Sequence, residues 1–140
     1  MIIAALRGFR DELPDHIATD TDEAHVRGYL DECHRDGCLV YALETDETGK
    51  PVALALGLVF PDWTRPVKIC ADLAFFVAPE HRGKGAMAKR LYQAFEGEAR
   101  RAGAVQLHMT NQHPDFEDAA DRFYRHHGFV AVGRSYQKEL

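Results

Sequence analysis

Residues 77–87 read VAPEHRGKGAM, with His81, Arg82 and Lys84 set among Gly83 and Gly85 and a long amphipathic stretch directly after them. Such a junction suits an anion. A helix N-terminus leaves backbone N–H groups unpaired and carries partial positive charge. Glycines let the backbone come close to a bound group, and Arg82 and Lys84 add formal charge. The run is neither G-x-x-x-x-G-K-[ST] nor G-x-G-x-x-G, so it is neither an NTPase loop nor a dinucleotide fingerprint. A surface turn with solvated cations is the plainer reading of the same residues.

Metal chemistry finds little support. The eight histidines form no H-x-x-x-H pattern and no cluster with cysteine, so no metal site is expected, and His81 is placed at the rim of the glycine loop. Cys33, Cys38 and Cys70 make no C-x-x-C pair, and their odd number points to reduced thiols in a cytosol. Acidic residues outnumber basic ones, 22 to 17, which argues against binding duplex nucleic acid by phosphate neutralisation. The opening MIIAALRGFR has no basic segment before its short apolar run, and no later run approaches the ~18 apolar residues of a membrane span. One cytoplasmic domain without a membrane partner is expected over residues 1–140.

The elements that must position the loop follow from periodicity. Ile2, Leu6, Phe9, Leu13 and Ile17 share one helical face, with Pro14 ending or kinking the helix near Leu13. A second helix follows TDTD, runs through Val26 and Leu30 and stops near Gly37, so the N-terminal helices occupy residues 2–36. CLVYALE and PVALALGLVF, separated by TDETGK, read as an antiparallel hairpin whose second strand is central. PDWTRPVK is a loop, and ICADLAFFVA is the strand that delivers the glycine junction. Met87, Leu91, Phe95 and Ala99 recur every four residues and define a helix that ends before Gly103. AVQLHMT alternates as a strand burying Val105, Leu107 and Met109. A helix capped by Asp115 spans about Phe116 to His127, and FVAVGRSYQKEL reads as two short strands.

With these elements in order, the glycine junction resembles the acyl-CoA loop of the GCN5-related N-acetyltransferases, the GNAT family, written R/Q-x-x-G-x-G/A after a strand ending V-x-P. Val77, Pro79, Arg82 and Gly85 match, while Met87 stands where that pattern has a small residue. FYRHHGF, Phe123 to Phe129, resembles the family's second signature, and Ala120 fits its small residue four before the tyrosine. The resemblance covers roughly the last hundred residues, 38–140, taken as the core sheet and CoA-binding region. It implies an α+β GNAT acyl-CoA N-acyltransferase fold, a central mixed and mostly antiparallel sheet with flanking helices. The closing SYQKEL and the short chain are also similar to small members from phage and prophage genomes. Two departures stand out: no strand precedes the first helix, and Glu117 occupies the place of an asparagine that contacts pantetheine, with Asn111 six residues upstream.

The resemblance implies acetyl-CoA as the cofactor and direct attack of a primary amine on its thioester in a ternary complex. Phe76, Val77, Arg82, Gly83, Lys84, Gly85, Ala86 and Met87 would hold it, with a backbone N–H near Phe76 facing the acyl oxygen. Met87 either crowds the pyrophosphate or turns its side chain into the core. Tyr124 matches the position of the general acid, since a phenol of pKa ~10 is protonated at neutral pH, and it can equally serve as packing. Asp72 matches the general base, its pKa raised by desolvation on a half-buried strand, or is a hydrogen-bonded structural carboxylate. Glu44 and Glu117 are fallback bases.

The family's acceptor site is lined by the first two helices and the strand loops, which brings in ATDTD and PDWTRP. Trp63 would form an aromatic wall or anchor its loop; Asp20 and Asp22 would attract a cationic amine or cap the second helix. The acceptor is a small-molecule or protein amine, and a homodimer is common in the family. A catalytically degenerate binding or regulatory module on the same fold, acting through protein contacts, is the alternative.

Overall fold

The computed structural model describes residues 1–13, 21–83, 86–111, 113–133, 136, 138 and 140. They form two compact units, Met1–Thr110 and Asn111–Leu140. The first unit contains α1 (Ile2–Glu12), α2 (Glu23–Arg35), β1 (Leu39–Thr45), β2 (Pro51–Pro61), β3 (Lys68–Val77), α3 (Ala86–Arg101) and β4 (Ala104–His108). The second contains α4 (Glu117–His126).

Local chemistry sets most of these boundaries. Leu13, just before Pro14, leaves the helix at φ −72° and ψ 141°, the extended region that a following proline demands. Asp22 caps α2 by accepting a hydrogen bond from the His25 N–H at 3.0 Å, as the capping reading expects. Gly37, at φ +70°, closes α2 while the Cys38 N–H reaches the Cys33 carbonyl at 3.1 Å. The hairpin turn between β1 and β2 is held by the Asp46 carboxylate, which accepts from the Thr48 and Lys50 N–H groups.

The sheet runs β1-β2-β3-β4, with the first two pairings antiparallel and the last parallel. β2 is buried from Val52 to Gly57, as its unbroken apolar run requires of a strand covered on both faces. On one face Ala53, Ala55 and Val59 pack with Leu91, Phe95 and Ala99 of α3. On the other, Leu54 and Leu56 pack with Ala5 of α1 and Leu30 of α2.

Two bulges reset the alternation. Leu56 pairs with Ala74 but Gly57 pairs with Asp72, so Leu73 is an extra residue in β3. Cys70 and Val77, seven residues apart, therefore both pack in the α3 cluster, where an unbroken strand would put them on opposite faces. Gly57 is obligatory opposite the bulge: a Cβ there would meet the Ala71 carbonyl oxygen and Phe95 Cζ, each at 2.7 Å. In β4 the register passes from Lys68–Ala104 to Ile69–Gln106 and skips Val105. Val105 is turned outward and is 66% exposed, contrary to the expected alternation, whereas Leu107 and Met109 keep their inward places.

Two C-terminal expectations also need correction. Asp115 does not cap α4; it lies in the 3-10 turn Pro114–Phe116, and Phe116 is the residue before the helix. The described residues from Phe129 onward form no strand, and Val130, Val132 and Tyr136 are largely exposed. Alternation alone does not make a strand, which needs a ladder partner to pair its backbone groups.

Candidate active site

β3 and β4 stay in register only as far as Ala71–His108, while β3 continues to Val77 paired with β2 on its other side. That pair is also the end of β4, at His108. Asp72 follows the last ladder pair, and its Oδ1 accepts from the Thr110 N–H at 3.0 Å and the Thr110 hydroxyl at 3.1 Å. Desolvation pushes the Asp72 carboxyl up from the usual 3.8 to about 6, against the lowering effect of the Thr110 bonds. Burial, with a smaller contribution from the Asp72 charge, pushes the Cys70 thiol up to about 11, in line with the two side chains sharing a face of β3. Both expected readings of Asp72, a carboxylate with a raised pKa and a hydrogen-bonded structural group, thus describe the same side chain. Thr110, its partner, carried no local signal of that role.

Beyond Val77 the chain passes through the 3-10 turn Pro79–His81 to Gly83, whose φ of +76° favours glycine and whose Cβ position meets nothing within 4 Å. Lys84 and Gly85 lie outside the described residues. α3 then opens at Ala86, and Met87 packs against the α3 core cluster. The departure at Met87 therefore places its side chain toward the interior. Phe76 and Val77 are both buried; the Phe76 ring meets Phe9 edge-on at 6.5 Å, beneath Gly8, whose Cβ would come within 3.1 Å of it.

Arg82 links elements 70 residues apart in sequence. Its Nε donates to the Val77 carbonyl at 2.6 Å, its terminal nitrogen pairs with Glu12 at the end of α1, and its guanidinium lies 5.8 Å from the Phe76 ring centroid. Glu12 had no sequence signal for this role. Arg82→Ala is expected to cost about 2 kcal/mol of stability, the worth of a charge-assisted hydrogen bond whose partner is left behind. Urea denaturation beside acetyl-CoA titration separates that loss from any loss of cofactor affinity; an unchanged midpoint would show that the link to α1 contributes nothing.

In the second unit, Tyr124 lies in the last turn of α4, with its ring 5.4 Å from Phe129 and 5.7 Å from Phe123. The Phe129 N–H returns to the Tyr124 carbonyl at 3.0 Å, and Gly128 at φ +88° makes that reversal. Asn111 is engaged locally, donating to the His113 carbonyl at 2.9 Å. The fallback bases are placed less favourably: Glu44 faces Arg90 at 3.6 Å, and Glu117 is exposed at the start of α4. Among the described residues, no group of three His, Cys, Asp or Glu is arranged to hold a metal ion, and no helix is long and apolar enough to cross a membrane.

A cavity of about 380 Å³ opens among α1, α2, Leu56 of β2 and Leu73 of β3. Thr21 of the ATDTD stretch lines it, while Asp20 lies outside the described residues. Trp63 is 94% exposed and lies outside this lining, so it does not anchor its loop. Its loop is held instead by Asp62, which accepts from the Thr64 N–H at 2.8 Å and pairs with Arg65. The wall residue Leu73 was missed because its placement depends on the bulge.

Helices on both faces of a mixed sheet, with β3 leading through a glycine turn into a helix N-terminus, define the class as an acyltransferase-type α+β fold. The chain belongs to the acetyltransferase (GNAT) family, whose model matches residues 5–129. No curated protein sequence matches it. Among solved structures, an aminoglycoside acetyltransferase from an uncultured soil metagenomic sample is similar at 12% identity and a TM-score of 0.76, over 99% of this chain and 90% of that one. Glucosamine-6-phosphate N-acetyltransferase from Arabidopsis thaliana is similar at 18% identity and 0.70, over 99% and 93%. AAC(6')-Iy, solved with the bisubstrate analog CoA-S-monomethyl-acetylneamine, is similar at 21% identity and 0.71, over 99% and 92%. At these identities the likeness is one of fold.

Proposed function

We propose that this protein transfers the acetyl group of acetyl-CoA to a primary amine by direct attack in a ternary complex. The observation that carries the reading is that β3 runs on from the last β3–β4 pair, Ala71–His108, past Asp72 to the Pro79–Gly83 turn and the start of α3. The open turn at Gly83 and the inward side chain of Met87 fit a phosphate group held by backbone N–H donors. Phe76, Val77, Arg82, Gly83, Lys84, Gly85, Ala86 and Met87 would hold the cofactor, which supplies an activated acyl group when bound.

The chain's own residues divide the proton work. Both Thr110 bonds fall on Asp72 Oδ1, so Oδ2 is the oxygen that takes a proton from the amine. The Tyr124 hydroxyl is the donor assigned to the departing sulfur. With a carboxyl pKa of about 6, kcat/KM is expected to rise with pH through that value, and Asp72→Asn to remove the limb and lower kcat/KM about 10²-fold. Stability provides an independent check. The folded state holds the Asp72 proton more tightly than the unfolded state, so its contribution to stability falls as pH rises from 3.8 to about 6. Asp72→Asn, which keeps an acceptor for Thr110, is expected to flatten that fall; an unchanged slope would place the raised pKa elsewhere.

Isothermal titration with acetyl-CoA, free CoA and ATP tests the reading as a whole. Saturable micromolar binding of both CoA species, with ATP much weaker, is expected. Absence of binding to either CoA species overturns it in favour of a binding module on the same fold.

A further inference from the structure

We infer that Glu12, at the end of α1, is a positioning residue whose charge sets how tightly the cofactor is held: it is the anion with which the cofactor's diphosphate competes for Arg82. The inference rests on the acetyl-transfer reading and adds to it a residue from outside the glycine turn.

The helix delivers the carboxylate. Ile2, Ile3, Leu6 and Phe9 pack with Ala5, Leu54 and Leu56, which fixes α1 against the sheet. Gly8 and Phe9 precede Glu12 by four and three residues, so the three share one helix face. That face meets the end of β3. Gly8 leaves room for the Phe76 ring, Phe9 meets the ring edge-on, and Glu12 pairs with Arg82, whose guanidinium lies over the same ring. An acid at the last position of a helix faces the negative end of the helix dipole, and the bond to Arg82 offsets that local cost.

The pair is sheltered. The Arg82 and Glu12 side chains are 31% and 24% exposed, against 56% and 40% for the surface pair Arg7 and Glu23. Water and salt screen a covered pair less than an exposed one, so Glu12 offsets much of the Arg82 charge. Arg82 directly precedes Gly83, and its Nε is held by the Val77 carbonyl, so the guanidinium stays at the turn that the acetyl-transfer reading gives to the diphosphate. Glu12 therefore acts in two opposed ways. It ties the turn to α1 through Arg82, and it sets a negative charge beside a group that must attract a phosphate. Two anions on one guanidinium compete, which lowers cofactor affinity and speeds the departure of CoA.

Isothermal titration of Glu12→Gln and Glu12→Asp with acetyl-CoA and free CoA tests this. Glu12→Gln keeps the size and an acceptor for Arg82 but removes the charge, so both ligands are expected to bind about tenfold more tightly than to the parent, mostly through slower dissociation. Glu12→Asp keeps the charge, and its affinity for both ligands is expected to stay within about threefold of the parent's. Urea midpoints of the two variants report what the link to α1 is worth in each. A purely structural role would move affinity in the same direction in both variants, in step with those midpoints. Unchanged or weaker binding to Glu12→Gln, or equal tightening in Glu12→Asp, overturns the role assigned to Glu12. If the parent binds CoA in those cases, only that role falls; if the parent binds neither CoA species, the acetyl-transfer reading falls with it.

Discussion

Tyr124→Phe is expected to lower kcat by about 10²-fold or more, the usual contribution of a positioned general acid, while acetyl-CoA affinity stays within about twofold. The substitution removes only the hydroxyl. Contacts of the ring with Phe123 and Phe129 are available to phenylalanine as well, and the backbone bond from Phe129 to the residue 124 carbonyl does not involve the side chain. A change confined to turnover therefore reports proton donation. Equal losses in turnover, affinity and thermal stability would assign Tyr124 to packing instead. Pre-steady-state measurement of thiol release, beside calorimetric titration of the same variant, distinguishes the two outcomes.

Gly57→Ala is expected to destabilise the protein by about 3 kcal/mol, at the upper end of overpacking costs, because neither neighbour of the new Cβ yields easily. One is the Ala71 carbonyl oxygen, fixed in β3, and the other is Cζ of Phe95, a ring with no exposed surface. Phe95→Leu in the same chain removes the ring contact but not the carbonyl contact. The double variant should therefore cost less than the sum of the two single ones by about 1 kcal/mol. Urea denaturation of the four proteins measures this coupling directly. A Gly57→Ala midpoint equal to that of the parent would mean that the strands separate there at little cost. The same substitution acts on the site, because Gly57 pairs with Asp72 opposite the bulge that sends Leu73 into the cavity wall. Its kcat/KM should fall even at temperatures where the protein remains folded.

How much of this was legible beforehand follows the range of the forces involved. The α1 and α3 stripes, the Asp22 cap, the hairpin over Asp46 and the turn at Gly83 are arrangements of neighbours within a few residues. Periodicity and turn chemistry act at that distance, so composition and spacing alone determined these elements, their order and the resemblance of the glycine junction and FYRHHGF to one family. Tertiary packing decided the rest. Val105 turns outward and Leu73 enters a cavity because each is the extra residue of a bulge, and a bulge exists only relative to the partner strand. Arg82 pairs with Glu12, and Asp72 receives Thr110, across 70 and 38 residues of chain. The C-terminal alternation at Val130 and Val132 produced no strand among the described residues, since hydrophobic period proposes a face while only a paired neighbour satisfies its backbone.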